Sequence, residues 1–355
     1  MIPMYKTLFQ PDYNNLLQVL NNERPTRLPL YEHNIDEPFI SKAIGQKLII
    51  EDVALTELDD YFRTVINFWK DMTFDGVSYE ALICPIFPGH GAIKGGIGPI
   101  QTRKDFERFP WNEIPRMYWE KYTPRLEAIR RNLPPGMKAY GGCGYGIFEA
   151  AQDLVGYEYL CLMQCMDPEL FADLFVRIGD LYAQLWSEMV RRYSDIFVFF
   201  RMGDDLGFRS NTLLDPDVIR QHIIPQYKRV ISIVHSANKK FLLHSCGKIF
   251  SIMDDLIDAG IDAKHSNEDE IAPYNEWIEK YSSRIGLFGG IDLNVLILDT
   301  PEEIFRKVVE NGTKFRATAN GYGIGSGNSI PDYIPVDGFM AMVEAVNEIR
   351  GRELK

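Results

Sequence analysis

Residues 240 to 265 contain Lys240-Phe241-Leu242-Leu243-His244, then the stretch 249–259, then Ile261-Asp262-Ala263-Lys264-His265. The outer two are short β-prone runs, and the middle one carries its apolar residues at helical spacing. Two strands joined by a helix run parallel, because an antiparallel pair needs only a tight turn. The same alternation continues in both directions. Candidate strands are Arg27–Glu32, Gly76–Ala81, Lys138–Gly144 and Ile196–Met202 before this unit, and Arg284–Gly289 and Gly321–Gly325 after it. Most are apolar runs bounded by Gly, Asp or Pro, as expected of strands covered on both faces. Helix patterns lie between them over 168–192, 218–236, 274–281 and 336–349. Asp167-Pro168, Asp215-Pro216 and Thr300-Pro301-Glu302-Glu303 supply start signals. Eight strands alternating with helices predict an α/β chain folded as a (β/α)8 TIM barrel over residues 27–355, with 1–26 as a short N-terminal extension. The rival arrangement, a doubly wound open sheet, lacks its glycine fingerprint, since Tyr31-Glu32-His33-Asn34 follows the first strand.

Composition narrows the function. The 355 residues carry a formal net charge of −12, which disfavours a nucleic-acid partner. No apolar run reaches the ~20 residues that span a bilayer, and residues 1–13 lack the apolar core of a signal peptide. The five cysteines are few and odd in number, so a disulfide framework is not expected. These features predict a cytoplasmic chain with no membrane partner.

In a (β/α)8 barrel, chemistry gathers at the C-terminal ends of the strands. Those ends carry His33 and Asn34, Tyr145 to Glu149, Asp204 and Asp205, His244-Ser245-Cys246, His265, Asp292, and Ser326 to Ser329. Any one of these could be an ordinary polar loop residue; the set is harder to dismiss. His244 and Cys246 are two apart on an extended chain, so imidazole and thiol point to one side. That donor pair suits zinc. The structural alternative is a buried histidine bonded to backbone beside an inert cysteine. A third ligand could come from Glu149, Asp204, Asp205, His265 or Asn328. Glu149 sits on an apolar background where an unpaired carboxylate is costly, although it could also serve a helix N-terminus. Tyr145, Phe148, Phe208, Tyr322 and Tyr333 flank these ends and would suit a flat apolar or aromatic substrate, the alternative for each being ordinary loop packing. The run Gly321 to Asn328 lacks the Lys-Ser/Thr of a phosphate loop, so its glycines are expected to serve close backbone approach.

Phe241 to Gly247, Met253 to His265, Leu287 to Asp292, Thr300 to Glu303 and the glycine-rich eighth strand resemble the uroporphyrinogen decarboxylase superfamily. The resemblance runs from about Asp204 to Glu348. It implies a (β/α)8 barrel and one of two activities, porphyrinogen decarboxylation or zinc-dependent, corrinoid-linked methyl transfer. The decarboxylases carry an N-terminal arginine segment for their polycarboxylate substrate. Here residues 1–30 hold only Arg24 and Arg27 as arginines. The methyltransferases carry His-x-Cys after strand five, matched by His244 and Cys246. Their thiol-methylating members add a cysteine after strand eight, where this chain has Asn328. The chain therefore looks more like the first methyltransferase of corrinoid-dependent O-demethylase systems.

That resemblance implies zinc on His244, Cys246 and Glu149, and transfer of a methyl group from a methoxylated, aromatic donor to cob(I)alamin on a separate corrinoid protein. Asp204, Asp205 and His265 are expected as catalytic or metal-supporting groups, with Tyr145, Phe148, Phe208, Asn328 and Tyr333 around the small-molecule substrate. Two alternatives stand beside it: methyl transfer from a methylcobamide to a thiol or folate, and a metal-free barrel acting as a binding or assembly subunit.

Overall fold

The computed structural model describes residues 9–268 and 270–353, so residues 1–8 of the expected extension lie outside the described residues. Seven strands form one parallel sheet in chain order: β1 (Gly76–Leu82), β2 (Lys138–Gly144), β3 (Phe197–Gly203), β4 (Phe241–His244), β5 (Ala263–His265), β6 (Gly286–Ile291) and β7 (Tyr322–Ser326). Each connection between strands carries at least one helix, which parallel pairing requires. Pro168–Tyr193 buries Leu170, Leu174, Ile178, Leu185 and Met189 along the face its spacing foretold. Among the described residues no helix is long and apolar enough to cross a membrane.

The expected first strand, Arg27–Glu32, departs from the expectation. Only Leu30 pairs, as a single parallel bridge to Ile324. Tyr31 N donates to Ile324 O at 2.9 Å, and Ile324 N to Pro29 O at 3.0 Å. Pro29 has no N–H to extend the ladder. Towards β1 and β2 this segment is held mainly through side chains. Ser78 Oγ donates to His33 O at 2.6 Å, and the Tyr140 hydroxyl to Glu32 O at 3.0 Å. Gly325 permits the close approach, since a Cβ there would stand 1.7 Å from Tyr31 O.

Residues ahead of this segment also belong to the packing. The helix Asn14–Leu20 buries Leu16, Val19 and Leu20, and Val19 O sits where a Cβ on Gly286 would fall. Inside the curl of the sheet, Tyr31, Tyr140, Phe199 and Phe288 form a ring of four, with centroids 4.5 to 6.2 Å apart between neighbours. All four are fully buried. The ring makes a floor. On it lies Arg201, buried, bonded to Glu80 Oε1 at 3.0 Å, Ser78 Oγ at 3.0 Å and the Tyr31 hydroxyl at 3.2 Å.

Candidate active site

Above the floor the strand ends present three imidazoles. His244 ends β4 and His265 ends β5, and the register places them directly opposite one another. His33 stacks on His244 with centroids 3.6 Å apart. His244 Nδ1 lies 2.8 Å from His265 Nδ1, and His265 Nε2 lies 2.9 Å from Ser326 O.

These contacts fix the protons. A carbonyl oxygen only accepts, so His265 donates through Nε2–H. Burial holds both rings neutral, depressing His265 to about 3 and His244 well below the ordinary imidazole value. A neutral His265 then has a bare Nδ1, which must accept from His244 Nδ1–H. His244 is left with a free lone pair on Nε2. That atom faces Cys246 Sγ at 3.5 Å and Asp205 Oδ1 at 4.0 Å.

The three ligand atoms of Asp205, His244 and Cys246 lie within 4.8 Å of one another. Tetrahedral zinc, with bonds of about 2.0 Å to nitrogen and 2.3 Å to sulfur, separates such a pair by about 3.5 Å. The donor set and spacing therefore fit zinc. Burial, and next the charge of Asp205, push the Cys246 thiol well above its usual pKa. A cation bound there would reverse that. Asn328 Nδ2 donates to Cys246 Sγ at 3.5 Å and to Glu268 Oε1 at 2.8 Å, and Asp205 Oδ1 accepts from Cys246 N at 2.8 Å.

The other expected residues divide into two groups. Glu149, Tyr145 and Asn328 line the same cavity of about 700 Å³ as His244, Cys246 and Asp205. Glu149 is outside the groups whose ligand atoms come within 4.8 Å; Asp205 stands in that place. Burial, followed by the charges of Asp205 and Asp204, raises the Glu149 carboxyl well above its usual range. Tyr145 takes a left-handed φ of 60°, and the Tyr182 hydroxyl holds its carbonyl at 3.0 Å.

Asp204, Phe148, Phe208 and Tyr333 are not among the lining residues. Asp204 is fully buried and caps the helix Ile147–Val155, accepting from Phe148 N and Glu149 N at 2.9 Å each and from the Tyr227 hydroxyl at 2.5 Å. Gly146 makes that approach possible, because a Cβ there would meet the carboxylate at 2.1 Å. Phe148 is core, while Phe208 and Tyr333 are 61% and 63% exposed. The sequence assigned no role to Glu268, which holds Asn328, or to Ser266, whose Oγ lies 3.7 Å from Cys246 Sγ, because both contacts depend on loop paths that carry no local signal. His33 was visible as a strand-end histidine, but nothing in the pattern placed it on the face of His244.

The family model described as uroporphyrinogen decarboxylase (URO-D) matches residues 97–349. A methylcobamide:CoM methyltransferase, MtaA, from Methanosarcina barkeri is 23% identical over 227 residues, which is 62% of this chain and 63% of that relative. The match thus spans less than two thirds of the relative's length. A solved methyltransferase from Methanosarcina mazei superposes with a TM-score of 0.69 at 16% identity, over 94% of this chain and 97% of that one. This likeness bears on the fold. With most of its length matched by the family model, the chain belongs to the uroporphyrinogen decarboxylase family.

Proposed function

We propose that the protein is a zinc-dependent methyltransferase that moves the methyl group of a methoxylated aromatic compound to cob(I)alamin on a separate corrinoid protein. The observation that carries this reading is the bare Nε2 of His244 facing Cys246 and Asp205 in the wall of a large cavity. His244, Cys246 and Asp205 would hold the ion, Glu149 being a further carboxylate lining the same space. Phenoxide is a poor leaving group, and zinc there supplies Lewis acidity at the ether oxygen. The chain's own residues do the rest. His265 and Ser326 O lock His244 in the ligating tautomer, and Asn328 with Asp205 fixes the loop carrying Cys246. Tyr145 lines one wall of the cavity in which the substrate ring would lie. The partner would cap the strand ends and exclude water, and the 27–32 segment would serve as an eighth stave closing the barrel.

The test is zinc content by elemental mass spectrometry for wild type beside His244→Ala, then methyl transfer from a methoxyarene to reduced corrinoid protein. Near-stoichiometric zinc lost in the variant supports the reading. Equal, low metal in both overturns it.

A second reading follows from the matched relative, a methylcobamide:CoM methyltransferase. In it a thiol would be the acceptor. Consumption of methylcobalamin on addition of thiols, without any methoxyarene, would favour that reading.

A further inference from the structure

The cavity has a second end that the metal chemistry leaves unused. From His244 and Cys246 it continues past Glu80 and Tyr145 to the layer between β1 and the helices Leu58–Asp71 and Ile114–Asn132. Phe62, Val65, Ile66 and Trp69 form an apolar wall there. Facing it are three polar groups. The Tyr79 hydroxyl is buried and makes no hydrogen bond. The Arg125 side chain is only 15% exposed, and its Nη2 lies 3.2 Å from Glu51 Oε1. One turn earlier on the same helix, Lys121 Nζ lies 3.5 Å from that same oxygen. Two cations thus share the Glu51 carboxylate, while Glu37 in the same lining is bonded to Ile50 N and the Tyr61 hydroxyl instead.

Glu51 is a weak occupant. It is 63% exposed and sits in a single 3-10 turn, Ile50–Asp52. Glu37 braces that turn by accepting from Ile50 N at 3.0 Å and from the Tyr61 hydroxyl at 2.5 Å. Burial pushes the Glu51 carboxyl up, but Arg125 and Lys121 together outweigh it and hold the group below its ordinary range. An exposed pair of this kind is worth little, so a better-placed anion can displace it. An unpaired buried hydroxyl beside a guanidinium is the arrangement that a carboxylate would complete.

We propose that this annex is an anion subsite, in which Arg125, Lys121 and the Tyr79 hydroxyl take the carboxylate of an aromatic carboxylic acid, while Glu51 fills the place when no ligand is bound. The apolar wall selects a ring, and the cationic end selects its charge. That the ring also bears a methyl ether rests on the function proposed above; the binding does not.

Isothermal titration calorimetry separates the two, because it needs neither zinc nor a corrinoid partner. Benzoate and its neutral isostere benzamide are titrated into the full chain, wild type and variants, with circular dichroism melts as a folding control. Benzoate is expected to bind more tightly than benzamide. Arg125→Gln should weaken benzoate about tenfold or more while changing benzamide little, as expected for loss of a charge-assisted bond. Glu51→Gln, at an exposed position, should act in the opposite direction and tighten benzoate roughly two- to fivefold by removing the competitor. Equal binding of the two ligands, no binding of either, or Arg125→Gln without effect overturns the subsite. None of these outcomes touches zinc content, which tests the methyltransferase reading on its own.

Discussion

Two walls of the cavity are built in different ways. On the β3–β4–β5 side, backbone pairing continues past the strand ends. Asp204 N donates to His244 O at 2.9 Å, Ser245 N to His265 O at 2.8 Å and Gly207 N to Cys246 O at 3.2 Å. The seam between β7, residues 27–33 and β1 holds mainly by side chains, through Glu32 with Ser326, Ser78 with His33 O, and Arg201 with Tyr31 and Glu80. A ladder places every side chain by register, which suits ligands that must converge within a few tenths of an ångström. A side-chain seam can stand apart and leave room, and the annex opens beside it. The same difference says where each wall is vulnerable: one to loss of a ligand, the other to pH and to single polar contacts.

The largest effect should come from the ladder wall. Cys246→Ala is expected to remove zinc and lower methyl transfer at least about a hundredfold with an unchanged far-ultraviolet spectrum; retained zinc would transfer the ligand role elsewhere. Asp204→Ala strips three donors of their acceptor, so chemical denaturation should show a loss of about 2–4 kcal/mol, with zinc stoichiometry preserved in the folded fraction. A metal lost in proportion to activity, at full stability, would put Asp204 in the chemistry after all. His265→Ala frees His244 to take the other tautomer, and zinc affinity in chelator competition should fall about 10–100-fold.

The smallest effect belongs to the seam. Burial raises the Glu32 carboxyl from 4.5 to about 8, against the opposing hydrogen bonds of Ser326. Between those values the folded state keeps a proton that the unfolded chain releases. Stability should therefore fall as pH rises from about 4.5 through about 8, then level off. Glu32→Gln cannot ionise, so at pH 9 it should exceed wild type by at least about 1 kcal/mol in urea melts, with little difference at pH 4. A parallel pH dependence in both proteins would remove the seam carboxyl from the account.

The contrast also explains what the sequence could disclose. β2 was readable to the residue, and the other six strands to within two, because short apolar runs between Gly, Asp and Pro encode a buried parallel strand without help from the rest of the chain. The first strand was not, since an apolar run containing Pro29 looks like a strand yet cannot build one. The convergence of His244 and Cys246 followed from an i, i+2 spacing, although Cys246 itself lies past the end of β4. That Asp205, and not Glu149, comes within 4.8 Å of both did not, because that distance depends on how two loops from different strands meet. Arg125 and Tyr79 carried no signal at all. Their meeting is made by a helix packing on a sheet, and an arginine on an amphipathic helix reads as surface until the packing is known.

The four-ring floor of Tyr31, Tyr140, Phe199 and Phe288 imposes a traffic rule. The rings block the base of the sheet, so anything reaching His244 comes through the cavity, by its mouth at the strand C-termini or by way of the annex. If a corrinoid protein docks at that mouth, and the annex passes no substrate, it closes the exit while it is there. The methyl donor must then enter first, and the demethylated product must wait until the partner lifts off. Turnover would be compulsory in its order, with a queue at the mouth when the partner is abundant, and excess corrinoid protein would slow the enzyme.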